Sequence, residues 1–294
     1  MAFRASDGRS KAAALVSDAQ LKAVANRICV SRGFTLSETL GHGAFKETYL
    51  VADAAGKQSA LKVIRASADP ARVGREVAAM LRCNHPSISV LRACDLETVD
   101  GHTYHWLLEE YLAGGTLADK IKAGVLPVDE IKRLGSILID ALEYLRTISL
   151  VHRDIKPENI MFRADNMTPV LVDFGLVRDL GQESLTQTWM LQGPGTPFYA
   201  APEQLQNRKD LIDWRTDQFS LGVVLAVCGF GRHPFADPDE VKARTVQKVV
   251  DGGKSTGCFD AWCKKHGLDA LQRMTSAWPV HRFRTSDLLK KAWR

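Results

Sequence analysis

Val151-His152-Arg153-Asp154-Ile155-Lys156-Pro157-Glu158-Asn159 is the stretch on which the reading of this chain turns. It packs a carboxylate (Asp154), an ammonium (Lys156) and an amide (Asn159) into one short loop. Asp173-Phe174-Gly175 follows fourteen residues after Asn159, and Ala201-Pro202-Glu203 comes later still. Short strands are expected to flank 151–174. Upstream, Ala60-Leu61-Lys62 lies in a strand-like run. Side chains alternate along a strand, so Ala60 and Lys62 share a face about 6–7 Å apart.

Working outward, the pattern on the N-terminal side is strand-like at Phe34–Leu40, Glu47–Asp53 and Gln58–Ile64. Asp69-Pro70 opens a helix with Asp as cap and Pro at the first helical position; Val73, Val77, Met80 and Leu81 are expected on one face. Two more strands, Ile88–Leu96 and Thr103–Leu112, join through an Asp100-Gly101 turn. Past Ala113-Gly114-Gly115 the chain becomes helical. Ile131, Leu134, Ile137, Leu138, Ala141, Leu142 and Leu145 make a long apolar stripe. Further helices are expected near 213–229, 238–251, 259–277 and 285–293. Residues 1–31 read as an extension, with a helix capped by Ser17 or Asp18 running through Cys29 and an apolar edge of Leu15, Leu21, Val24 and Ile28. The fold class is α+β: a small β-rich lobe, then a larger helical lobe, with a cleft between them.

Composition narrows the function classes. Apolar residues at 45% and charged residues at 25% are an ordinary globular mixture, which excludes disordered and fibrous classes. A net charge of +5 spread along 294 residues is no nucleic-acid signature, so no nucleic-acid partner is expected. Phe219–Phe230, the longest apolar stretch, falls short of the about 20 residues a membrane span needs. Met1–Ser10 lacks the apolar core of a signal peptide. The expectation is a cytoplasmic protein without a membrane partner. Six cysteines form no Cys-x-x-Cys pair. Cys258, Cys263 and His266 lie close in sequence but fit no zinc spacing, and free thiols in a reducing compartment are the expected state.

The three ordered blocks resemble the protein kinase family. The resemblance covers about residues 34–293 and implies a bilobal kinase fold: an extension at 1–31, an N-lobe at 32–112 and a C-lobe at 113–294. It implies ATP as phosphoryl donor with Mg²⁺, or Mn²⁺ as an alternative. Phosphoryl transfer asks chiefly for positioning and charge neutralisation. Asp154 would accept the proton of the substrate hydroxyl, and Lys156 would sit by the transferring phosphate. Asn159 and Asp173 would supply hard oxygen ligands to the metal. Ala60 would touch adenine, and Lys62 would reach the α- and β-phosphates. Glu76, on the first helix between Val73 and Met80, faces inward and needs a partner; the family's partner is Lys62. Glu110-Tyr111-Leu112 would be the hinge, with backbone atoms of Glu110 and Leu112 holding adenine. Asp217 matches a buried helix carboxylate that braces the catalytic loop, and Arg282 a late arginine paired with Glu203.

Two positions depart from the family pattern. The glycine loop reads Gly41-His42-Gly43-Ala44-Phe45-Lys46, with Lys46 in place of the third glycine and Thr48 in place of the usual Val. Lys46 either adds charge near the phosphates or points to solvent. Glu109 stands at the back of the nucleotide pocket, where an apolar residue or Thr is usual. It either competes with Glu76 for Lys62, biasing the enzyme towards an inactive state, or makes a simple polar contact.

Lys156 in Asp-Ile-Lys-Pro-Glu-Asn, and Gly195-Thr196 ahead of Tyr199, resemble serine/threonine rather than tyrosine kinases. Thr196 would contact Asp154 and Lys156. Ser184, Thr186 and Thr188 fall in the expected activation loop and are candidate phosphosites, with Arg153 as the group that would pair with a phosphate there. Trans-autophosphorylation would call for self-association; protein substrates are the other expected partners. The alternatives are a pseudokinase that binds ATP as a regulatory scaffold, disfavoured because Lys62, Asp154, Asn159 and Asp173 are all present, and a small-molecule phosphotransferase, disfavoured by Asp-Phe-Gly and Ala-Pro-Glu.

Overall fold

A computed structural model describes residues 8–43, 45–165, 167–181 and 196–294, and the side chains of all of these except 8–19 and 196. The chain divides into two compact units, Met1–Leu81 with Ser89–Tyr111, and Arg82–Ile88 with Leu112–Arg294.

The first unit opens with α1 (Gly8–Arg32), followed by β1 (Thr35–His42), β2 (Lys46–Ala52), β3 (Gln58–Ile64), α2 (Pro70–Arg82), β4 (Leu91–Val99) and β5 (His102–Glu110). The strands form one antiparallel sheet in the order β1-β2-β3-β5-β4. Strand alternation gives the sheet two different faces. On one face Tyr49, Val51, Leu61, Val63, Tyr104, Trp106 and Leu108 pack with Leu21, Val24, Ala25, Ile28 and Cys29 of α1. Those helix positions recur at i, i+3, i+4, i+7 and i+8, the stripe that a helix lays on a sheet. The helix does not begin at Ser17 or Asp18; it runs back to Gly8, through Ala12, Ala13 and Ala14, whose propensity sustains it. It ends where Gly33 takes φ +72 and the Phe34 N–H bonds the Cys29 carbonyl at 2.8 Å, a left-handed cap that glycine adopts without steric cost.

The other face carries Lys46, Thr48 and Leu50 of β2, Ala60, Lys62 and Ile64 of β3, and Leu107 and Glu109 of β5. Helix α2 begins as the sequence predicts: the Asp69 side chain accepts from the Ala71 N–H at 3.0 Å. It buries Val73, Glu76, Ala79 and Met80, whereas Leu81 is exposed. The true stripe follows i, i+3, i+6 and i+7, and Leu81 lies off it. The strand expected from Ile88 starts only at Leu91. Ile88 instead bridges Leu171 in the second unit, and the Ser87 carbonyl accepts from the Leu171 N–H at 2.9 Å.

The second unit contains α3 (Leu117–Lys122), α4 (Val128–Thr147), β6 (Leu150–Val151), β7 (Ile160–Phe162), β8 (Pro169–Leu171), β9 (Arg178–Asp179), α5 (Thr196–Tyr199), α6 (Pro202–Leu205), α7 (Trp214–Phe230), α8 (Lys242–Val250), α9 (Gly257–His266), α10 (Ala270–Met274) and α11 (Ser286–Trp293). Helix α7 is buried on nearly all sides, as expected of a helix apolar all round, and α4 and α10 pack on it. Close approach is built in with glycine: a Cβ at Gly222 would stand 2.9 Å from Met274 and Thr275, and one at Gly135 only 2.0 Å from the Trp293 ring of α11. The single helix expected at 259–277 is two. Gly267 adopts φ +64 and closes α9, with Leu268 N–H on the Cys263 carbonyl at 2.9 Å. Helix α8 starts at Lys242 rather than 238, because Asp239 takes φ +59, outside the helical region.

Candidate active site

In the second unit, β6 delivers the loop 152–159 and β7 takes it away. Asp154 is clasped by its own loop: Lys156 Nζ donates to its Oδ2 at 2.8 Å, and Asn159 Nδ2 donates to the same oxygen at 2.8 Å and to the Asp154 carbonyl at 2.9 Å. These bonds fix the carboxylate's rotamer and load one oxygen, Oδ2, with both donors.

The loop itself is braced from α7. Asp217 is buried and accepts the backbone N–H of His152 at 2.7 Å and of Arg153 at 2.8 Å, one on each oxygen. Burial pushes the Asp217 pKa up, against the opposing pull of His152, Arg153 and these two N–H bonds. The bracing holds Arg153 at φ +68, a conformation costly for a residue with a Cβ. Asp173 is held at φ +66, with its Oδ1 accepting the Gly175 N–H at 3.2 Å.

His152 ties these two loops together, a role that the sequence reading did not assign. Its Nδ1 accepts the Asp154 N–H at 3.3 Å, so Nε2, 3.1 Å from the Val172 carbonyl, carries the proton and donates. Its ring meets Phe174 edge-on at 4.8 Å, and the Val172 N–H bonds the Asn159 carbonyl at 3.0 Å. The signal was present: an imidazole two residues before Asp154 is in reach of the same backbone. Gln204 was also missed. Its Nε2 donates to the Arg153 carbonyl at 2.8 Å, and its Oε1 accepts from the Ala201 N–H at 3.2 Å.

Glu203 and Arg282 are both fully buried and bidentate, at 2.6 and 2.9 Å. Arg282 also donates to the carbonyls of Ser276, Arg215 and Ala277, and Thr216 Oγ1 donates to Glu203 at 2.9 Å. Every remaining donor direction of the guanidinium is therefore used, the condition under which a buried pair is tolerated. Leu112 is buried with Val170 and Val172. Thr196 is the first residue of α5; its side chain, and Ser184, Thr186 and Thr188, lie outside the described residues.

In the first unit, Gly41 pairs with Thr48 across β1 and β2, and the Gly43 N–H bonds the Lys46 carbonyl at 2.8 Å. Glu110 ends β5, and its N–H reaches the Val90 carbonyl at 3.0 Å. Ala60 lies directly opposite Glu109, and Thr48 opposite Lys62.

The expected pairing of Lys62 with Glu76 needs correction. Lys62 Nζ stands 2.5 Å from Glu109 Oε1, and Glu76 Oε1 takes Lys46 Nζ at 3.3 Å. Among the described residues no ion pair joins Lys62 to Glu76. The reason is register. Lys62 faces Leu107 across β3 and β5, which places Glu109 diagonally next to it on the same face, within reach of a long side chain. Glu109 is further fixed by Ser89 Oγ, which donates to Oε2 at 3.0 Å. Lys46, one of the two readings of which was solvent, instead satisfies the buried carboxylate of Glu76.

Six free thiols are present, Cys258 exposed and Cys263 buried, and no group of three metal-binding side chains occurs among the described residues. No helix among them is long and apolar enough to cross a membrane.

Comparison with known proteins agrees with this geometry. The family model for the protein kinase domain matches residues 34–294. A probable serine/threonine-protein kinase of Streptomyces coelicolor is 32% identical over 235 residues, 77% of this chain and 34% of that protein. Probable serine/threonine-protein kinase PknB of Bifidobacterium longum is 32% identical over 230 residues, 74% of this chain and 33% of its own length. Myosin light chain kinase A of Dictyostelium discoideum is 33% identical over 215 residues, 68% of each chain. The chain thus spans about a third of the two bacterial relatives. With the domain match covering everything from Phe34 onward, the chain belongs to the protein kinase family.

Proposed function

We propose that this chain is a protein serine/threonine kinase, transferring the γ-phosphate of ATP to Ser or Thr hydroxyls of a protein substrate with Mg²⁺ as the metal. The observation that carries the reading is the Asp154 carboxylate, clasped through Oδ2 by Lys156 and Asn159 on a loop braced by Asp217.

With Oδ2 loaded, Oδ1 is the oxygen that would accept the hydroxyl proton as the oxygen attacks phosphorus. Such general-base assistance is worth about 10²–10⁴ in rate. Lys156 would offset charge at the transferring phosphate. The residues fit a hard divalent cation. Both hydrogens of the Asn159 amide nitrogen go to Asp154, leaving its carbonyl oxygen as the ligating atom, and Asp173 adds a carboxylate. One or two protein oxygens completed by phosphates suit Mg²⁺, which is seldom held by an all-protein cage. When bound, the ion would neutralise phosphate oxygens. Lys156 and the expected platform residue Thr196 favour Ser/Thr over Tyr. Autophosphorylation at Ser184, Thr186 or Thr188, self-association to achieve it, and a cytoplasmic location belong to the same proposal.

The test is incubation of phosphate-free protein with Mg-ATP and an arrayed library of Ser-, Thr- and Tyr-containing peptides, read by mass spectrometry. Phosphate on Ser and Thr, reduced about 10²–10⁴-fold in Asp154→Asn and lost in Asp173→Asn, is expected. Transfer unaffected by either substitution, or confined to Tyr, would refute the reading.

A further inference from the structure

The face of the first unit's sheet opposite α1 holds Lys46, Lys62 and Glu109, and Glu76 of α2 meets Lys46 there. Lys46 lies opposite Ile64 and Lys62 opposite Thr48, so the two lysines are diagonal neighbours on adjacent strands, about 7–8 Å apart at Cα. Lys62 meets Glu109 at 2.5 Å, and Lys46 meets Glu76 at 3.3 Å. The two pairs differ in kind. The side chains of Lys62 and Glu109 are 11% and 3% exposed; Glu109 Oε1 is in ion-pair contact with Lys62, and Oε2 accepts from Ser89. Lys46 is 20% exposed and its contact with Glu76 is longer.

Location separates them as well. The Lys46 backbone closes the glycine turn, its carbonyl receiving the Gly43 N–H at 2.8 Å. The Lys46 ammonium is thus carried by the segment that ends the glycine loop, the one the family resemblance places over the phosphates. Lys62, by contrast, is held at 2.5 Å by a carboxylate only 3% exposed and is itself the more buried of the two lysines, so a phosphate would have to draw its ammonium away from the closer contact.

We propose that Lys46, positioned by Glu76, is the lysine that anchors the phosphates of the nucleotide, and that Glu109 withholds Lys62 from that role. The inference rests on the kinase reading of the site. It turns the two departures from the family pattern, a lysine for the third glycine and a glutamate at 109, into two halves of one exchange. The acid at 109 captures the usual lysine, and the lysine at 46 replaces it on the helix carboxylate.

The test is a double-mutant cycle on binding of the non-hydrolysable analogue AMP-PNP with Mg²⁺, measured by titration calorimetry on the full chain, with phosphotransfer kinetics alongside. Lys46→Met is expected to weaken binding about 10- to 100-fold, the range for one charge-assisted contact, while Lys46→Arg loses only a few-fold. Glu76→Gln is expected to add nothing to Lys46→Met, whereas its effect multiplies with that of Lys62→Met. In a Glu109→Gln background Lys62 is released, so the Lys46→Met penalty should shrink several-fold. Coupling of Glu76 to Lys62 and not to Lys46 would overturn the assignment of Lys46. A penalty unchanged by Glu109→Gln would overturn the role given to Glu109. Wild-type protein that binds AMP-PNP but transfers no phosphate refutes the kinase reading while the binding cycle still decides the lysine; wild-type protein that does not bind it refutes both.

Discussion

His233 shows how far a single side chain can be committed by its surroundings. It is buried against Phe198 and Phe235, and its Nδ1 accepts the Phe235 N–H at 3.2 Å. Burial pushes its pKa down to about 3. The unfolded chain, with an ordinary histidine near 6.5, binds more protons between these two values. The contribution of His233 to stability is therefore complete above about pH 6.5 and is lost as the pH falls towards 3, at about 1.4 kcal/mol per unit. Urea unfolding of His233→Gln against wild type from pH 7 to pH 4 should show a flatter dependence in the variant; parallel curves would refute the assignment. Arg282 and Glu203 offer a second residue-scale test. Arg282→Met leaves Glu203 buried and unpaired and is expected to cost about 3–5 kcal/mol. Adding Glu203→Met should return part of that loss, and two additive losses would contradict a shared pair. The lysine–glutamate exchange belongs at this scale too. A sequence can list Lys46, Lys62, Glu76 and Glu109, but side chains of this length can each find several partners.

At the scale of elements, α1 is the part of the chain whose contribution was least legible. Its helical stretch and its edge of Leu21, Val24 and Ile28 could be read from spacing. That it packs on this face of the three central strands, β2, β3 and β5, could not, because the apolar face of Tyr49, Val51, Leu61 and Val63 is equally consistent with burial by any other element. The helix now accounts for that burial. Ile28→Ala is expected to cost about 2–5 kcal/mol by chemical denaturation, whereas Val30→Ala, at an exposed position, should stay within about 0.5 kcal/mol. Equal effects would mean that α1 does not pack as described. The exposed pairs of Arg27 with Glu97 and Arg32 with Asp95 add little to this docking. Element boundaries were legible where chemistry is local, as at Asp69-Pro70 and Asp100-Gly101, where φ of +50 and +75 suits a tight hairpin. They failed at Gly267, since an apolar pattern continues across a break made by one glycine.

For the molecule as a whole, the six thiols provide a global check. Burial pushes Cys29 up to about 11 and Cys228 and Cys263 up to about 12, and desolvation raises partly covered Cys83 to about 11. Only Cys94 and Cys258 are exposed. A thiol-specific reagent at pH 8 should therefore label these two rapidly, partly covered Cys83 more slowly, and Cys29, Cys228 and Cys263 only on unfolding; rapid labelling of one of the three buried thiols would contradict the packing of its unit.

The amino-acid sequence by itself determined the order of elements and the identity of the chemical groups, including Asp154, Lys156, Asn159 and Asp173 in their loops. Strand alternation, caps, turn residues and short spacings are local properties, and physics acting over a few residues is enough to reveal them. Tertiary structure alone decided which charge meets which. Asp217 reaching the loop at His152 and Arg153, His152 joining Asp154 to Val172, and Lys62 passing from Glu76 to Glu109 all depend on strand register and helix placement. Those are set by burial of apolar surface across the whole unit, and the charged groups then pair with whichever partner that packing brings within about 3 Å.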